Sequence, residues 1–107
     1  MAETQPIHSS LHRQISLPEI GEEVAHAMGT TLPDIRNLGR NREGIETRVR
    51  FTRILDDKHV APGEPSRRIG ELIGRGPNAI SKYRHRDIRS FTQDQIDLAL
   101  EKLSQAH

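Results

Sequence analysis

Residues 67 to 86 read RRIGELIGRGPNAISKYRHR. Ile69, Leu72 and Ile73 recur at helical spacing, the run Gly74-Arg75-Gly76-Pro77 interrupts them, and Ile80 and Tyr83 resume the apolar pattern. Ser66 is expected to cap the first helix, which runs to about Ile73. Gly70 is expected to permit close helix approach, and Gly74 to take a left-handed turn conformation. Pro77 suits the first position of a second helix, which is expected to reach about Ile88 with Ile80, Tyr83 and Ile88 inward. Two short helices joined by a Gly-containing turn of three or four residues form a helix-turn-helix, here spanning about 66–88.

Outward from that segment the chain reads as further helices. Pro18 to Met28 places Ile20, Val24, Ala27 and Met28 at helical spacing, with Gly29 as a stop. Thr31 is expected to cap a short helix carrying Leu32, Ile35 and Leu38, ended by Gly39. RNREG, residues 40–44, reads as an arginine-bearing connection to a longer helix from about Gly44 to Lys58. The turn VAPGEP breaks that pattern, and Ser90 or Thr92 is expected to cap a final amphipathic helix over about 91–104. Its stripe of Ile96, Leu100 and Leu103 is expected to pack on the domain, though it also suits a weak homodimer. Residues 1–15 lack a sustained period and read as a flexible arm, leaving 16–107 as one domain. With aromatic content of 3% and no Trp, the core must come from aliphatic side chains, which favours an all-α fold of five to six helices.

The formal net charge is only +1, but it is segregated. Arg36 to Arg50 carries +3, Arg67 to Arg89 carries +5, and the rest of the chain is therefore −7. A fold that brings the two basic segments together makes one positive surface in an acidic frame, which suits a polyanion. In a helix-turn-helix the second helix enters the DNA major groove and its N-terminal residues meet base edges. Asn78, Ala79, Ser81 and Lys82 occupy those positions: an amide that both donates and accepts, a methyl that suits thymine, a hydroxyl and an ammonium. Arg67, Arg68, Arg75, Arg84 and Arg86 are expected to meet phosphates, and Arg40 and Arg42 to reach DNA from the loop.

The same residues resemble the C-terminal DNA-binding domain of the bacterial chromosomal replication initiator DnaA, a helical domain akin to the Trp repressor. The resemblance covers about Ile20 to Asp87. Ile20, Val24, Ala25, Met28, Leu32 and Asp34 resemble its opening helices, and Gly39-Arg40-Asn41-Arg42 its basic loop. Ser66-Arg67-Arg68-Ile69-Gly70 resembles the SLPEIG element that opens its helix-turn-helix. The resemblance implies that an arginine of the loop, Arg40 before Arg42, enters a minor groove or meets the backbone. It also implies a DNA contact for Arg48, where the family has an arginine at the start of its long helix. The family continues GGRDHTTV, whereas this chain has Ile73-Gly74-Arg75-Gly76-Pro77-Asn78-Ala79-Ile80. The frame is therefore implied, together with double-stranded DNA binding in replication or transcription regulation, but not the initiator's own binding sequence. No GxxxxGK[ST] phosphate-binding loop is present.

Other chemistry finds little support. Cysteine is absent, which removes thiol catalysis and Cys-ligated zinc. Among six histidines only His8 and His12 have i, i+4 spacing, and Ser9-Ser10 lack any accompanying oxyanion motif. Neither a metal, a cofactor nor an enzymatic activity is expected. No apolar run approaches the roughly 20 residues of a membrane span, so a cytoplasmic bacterial or phage-like protein is expected. The main alternative function is an interaction module in which the same frame engages a replication or transcription protein; structured RNA is a third partner class.

Overall fold

The computed structural model describes residues 16–106, and within them the chain forms six helices and no strand. The expected arm over 1–15, with His8, Ser9, Ser10 and His12, lies outside the described residues.

Helix α1, Leu17–Ala27, starts on a capping box. The Ser16 hydroxyl accepts from the Glu19 N–H at 3.4 Å, and the Glu19 carboxylate accepts from the Ser16 N–H at 2.9 Å. Two orphan donors are thereby satisfied, one residue ahead of the expected start. Helix α2, Leu32–Asn37, is capped by Thr31, whose hydroxyl accepts from the Asp34 N–H at 3.2 Å. Helix α3, Arg42–Leu55, begins earlier than expected because the Asn41 side chain accepts from the Gly44 N–H at 2.9 Å. Arg42 is thus in the first turn of a helix rather than in the connection.

Helices α4, Ser66–Ile73, and α5, Pro77–His85, flank a three-residue turn in which Gly74 takes φ +69°. Ser66 is not the cap: Pro65 holds that position with extended backbone, and the Ser66 hydroxyl accepts from Arg84 instead. Helix α5 stops short of Ile88 because Arg53 donates to the carbonyls of Tyr83 and Arg86, satisfying acceptors where the helix ends. Helix α6, Ser90–Ala106, starts with Ser90 already helical and the Gln93 N–H donating to the Arg89 carbonyl. Neither Ser90 nor Thr92 is its cap, and Thr92 is buried.

Helix α3 runs through the middle, touching α1, α2, α5 and α6, while α4 lies against α2 and α5. Phe51, Ile54 and Leu55 of α3 are completely buried with Val24, Ile35, Ile69, Ile73 and Ile80. Each such aliphatic side chain contributes about 1.5–3 kcal/mol of burial free energy, so this cluster holds the helix pair in place. Ile96, Ala99 and Leu103 close the core from α6, with Leu100 half-buried beside them. Among the described residues no helix is long and apolar enough to cross a membrane.

Candidate nucleic-acid interface

The two basic segments meet. Arg40 from the loop before α3, Arg48 from α3, Arg75 from the turn, and Lys82 and Arg86 from α5 or its end line one open groove with Ile45, Gly76, Ala79 and Tyr83. Five cations and no acidic residue line it. Ile45 and Ala79 give it an apolar floor, so the charge of a bound anion meets the rim.

Two backbone carbonyls join the segments, that of Leu72, which accepts from Arg36, and that of Leu38. The Leu38 oxygen accepts from Nη2 of Arg48 and from Nη2 of Arg75, the latter at 3.1 Å, and Arg48 Nη2 also donates to the Gly39 carbonyl at 2.9 Å. Close packing fixes the loop itself: a Cβ on Gly44 would lie 2.1 Å from the Gly39 oxygen, so α3 approaches its own preceding loop through a bare backbone. Arg75 also donates from Nη1 to the Gly74 carbonyl at 2.9 Å, which holds it along the turn.

Arg48 corrects an expectation. Its side chain is 0% exposed, and its guanidinium anchors the Leu38-Gly39 loop instead of meeting a phosphate. Burial, and then the charge of Arg75, pull its pKa below the ordinary arginine value, with Arg40 acting the same way. An arginine so placed still carries its charge at neutral pH. Its contribution to the groove is positional, because it sets where Arg40 emerges.

Arg84 is a second correction. It donates through Nε and Nη2 to both oxygens of Asp56 at 2.9 Å, through Nη1 to the Ser66 hydroxyl at 3.0 Å, and to the Glu64 carbonyl. Four of its five N–H donors are thereby used, so the fork brackets the end of α3 to the start of α4 and its charge is already matched by Asp56 rather than held for a phosphate. Arg84→Gln is expected to lower unfolding free energy by about 1–2 kcal/mol, discounted for partial solvent access, while leaving affinity for DNA within about twofold. Thermal melts and binding titrations of the same variant check both halves.

The remaining expected residues divide by position. Asn78, Ser81 and Lys82 are exposed on α5, whereas Ala79 is half-buried against the core at the groove floor. Gly76 caps α5 without a side-chain hydrogen bond, which leaves the first N–H groups of that helix open to an anion. Arg67 and Arg68 are exposed in the first turn of α4, with Arg68 paired to Glu64 at 3.5 Å. Arg42 does not join Arg40; it lines a separate depression with Glu46, Arg86, Asp87 and Arg89.

Sequence reasoning missed the structural arginines Arg36 and Arg53. Arg36 Nε donates to the Leu72 carbonyl at 2.8 Å, so a cation from α2 sits on the C-terminal end of α4. Arg53 does the same for α5. No local signal marks either one, because the acceptors lie thirty or more residues away in the chain. Comparison of the chain with protein-family models, with curated proteins and with solved structures returned no match.

Proposed function

We propose that this chain binds double-stranded DNA, with α5 in the major groove and Arg40 at an adjacent minor groove or phosphate. The observation that carries this reading is the convergence of Arg40, Arg75, Lys82 and Arg86, from two separated stretches, on one groove without an acidic lining residue. Phosphates supply most of the affinity in such a complex, and a row of fixed cations beside an uncapped helix start suits them. Asn78 and Ser81 stand on the exposed side of α5 near that start and read base edges. The order of loop, long helix, turn and second helix supports kinship with the replication-initiator domain, and a regulatory role in replication or transcription follows from it. No chemical step is assigned to the groove.

Fluorescence anisotropy of the full chain tests this, using an initiator-box duplex and a scrambled duplex, each at two salt concentrations. Binding that weakens steeply with salt on both duplexes is the expected result. Absence of binding to either at low salt would overturn the DNA reading in favour of a protein-interaction role for the same frame.

A further inference from the structure

Helix α5 presents an outward crest. Asn78, Ser81, Lys82 and His85 are exposed at i, i+3, i+4 and i+7, while Ile80 and Tyr83 are buried on the far side. At about 100° per residue, Asn78 and His85 nearly superpose when viewed down the axis, opposite the midpoint of that buried pair. Lys82 leans to one flank, where it lines the basic groove with Arg40 and Arg86, and Ser81 leans to the other. The Asn78 amide does not fold back to cap the helix, since the start of α5 carries no side-chain cap hydrogen bond. Among the described residues, neither that amide nor the His85 ring has a hydrogen-bond partner within the chain.

We propose that Asn78 selects an adenine in the bound duplex and His85 a guanine about three base pairs away, an inference that rests on the DNA reading above and gives it a sequence. An amide presents one donor beside one acceptor. In the major groove only adenine answers with an acceptor and a donor side by side, N7 and N6–H2; guanine shows two acceptors, cytosine one donor, and thymine one acceptor beside a methyl. A neutral imidazole donates one N–H, which suits the paired acceptors N7 and O6 of guanine and meets a donor on adenine N6 instead. The spacing follows from the helix, because seven residues rise about 10 Å, close to three steps of about 3.4 Å along a strand. Ser81 sets no sequence, because a hydroxyl bonds to donors and acceptors alike. Lys82 sets none either, because it stands with the cations at the groove rim, where phosphates are met.

Selection of the full chain on a pool of duplexes with about ten randomised base pairs is the test, followed by titration of the enriched sequence and its single-base variants. An adenine and a guanine about three positions apart are expected to be enriched, and replacing that adenine should weaken binding by about tenfold or more. Asn78→Ala should erase the preference at the adenine alone and leave the salt dependence unchanged, while Asn78→Gln, which keeps the amide, should retain part of it. His85→Ala should erase the preference at the guanine alone. Both side chains are exposed, so thermal melts of these variants should match the parent. Salt-dependent binding without any enriched sequence, or an enriched sequence indifferent to Asn78→Ala, would overturn this inference and leave the DNA reading standing. A preference that Asn78→Ala removes from a base other than adenine would overturn the adenine assignment, and a guanine position indifferent to His85→Ala would overturn the role of His85. Absence of binding to the whole pool at low salt would overturn the DNA reading itself and this inference with it.

Discussion

Gly70→Ala is expected to lower the unfolding free energy by about 2–3 kcal/mol, a loss at the upper end for overpacking at a close approach. A Cβ at this position would lie 2.1 Å from the Arg75 carbonyl oxygen and 3.2 Å from its carbon. Both atoms are backbone, so no side-chain rotation relieves the clash. The same turn is tied to Gly70 from the other direction, because the Arg75 N–H donates to the Gly70 carbonyl at 2.9 Å. Adding one methyl group must therefore push the whole turn outward and weaken that bond. For a chain of this size the loss corresponds to a fall in melting temperature of roughly 10–20 °C. Gly76→Ala is the control: nothing lies within 4 Å of its Cβ position, and its φ of −75° suits any residue. It should cost less than about 1 kcal/mol. Equal melting temperatures for the two variants would sink the assignment of Gly70 as the point where the turn closes on α4. Because Arg75 and the start of α5 ride on that turn, Gly70→Ala should also weaken DNA binding at temperatures where it remains folded.

The helix pair is legible in the sequence because its signals are local. Apolar spacing at Ile69, Leu72 and Ile73, a glycine where the backbone turns left-handed, and Pro77 at a first helical position all act within a few residues. The close approach at Gly70 is legible too: Ile80 Cγ1 of the second helix lies 3.5 Å from its Cβ position, although the tightest neighbour is the Arg75 carbonyl in the turn. Two further local signals are as strong and were missed. Ser16 with Glu19 forms a capping box, and Asn41 caps α3 within a stretch whose arginines suggested an open loop. Ser66 shows the limit of such preferences: its hydroxyl pairs with Arg84, which only the folded chain brings near.

Arginine roles are far less legible. A guanidinium serves the fold or the surface according to which acceptors the tertiary structure places beside it. Arg84 finds Asp56 across 28 residues, and Arg36 finds the Leu72 carbonyl across 36. Charge counting in the sequence treats these residues like Arg40 or Lys82. The segregation of charge is nevertheless informative, because the two basic stretches do share a groove. The membership of that groove differs from the expectation: Arg84 is drawn into the fold, and Arg48 is the buried support of the loop.

Joint replacement of Arg40, Lys82 and Arg86 by glutamine is expected to reduce duplex affinity by about a thousandfold at 0.1 M salt. The magnitude follows from counterion release. Each neutralised phosphate contributes nearly one power of salt concentration to the binding constant, which at 0.1 M amounts to about tenfold per phosphate. The slope of log affinity against log salt should accordingly become shallower by nearly one for each cation replaced. Arg40, Lys82 and Arg86 are exposed at the groove rim, away from the aliphatic core, so glutamine should leave the melting temperature close to the parent's. A triple variant with unchanged affinity and slope would remove the groove from the DNA interface. Arg40→Gln alone carries further information. A narrow A-tract minor groove concentrates negative potential and rewards an inserted arginine. Loss concentrated on A-tract duplexes would therefore place Arg40 in the minor groove, whereas equal loss on A-tract and G·C-rich duplexes would place it on the backbone, where Arg48 and the Leu38 carbonyl hold its loop against the turn that carries Arg75.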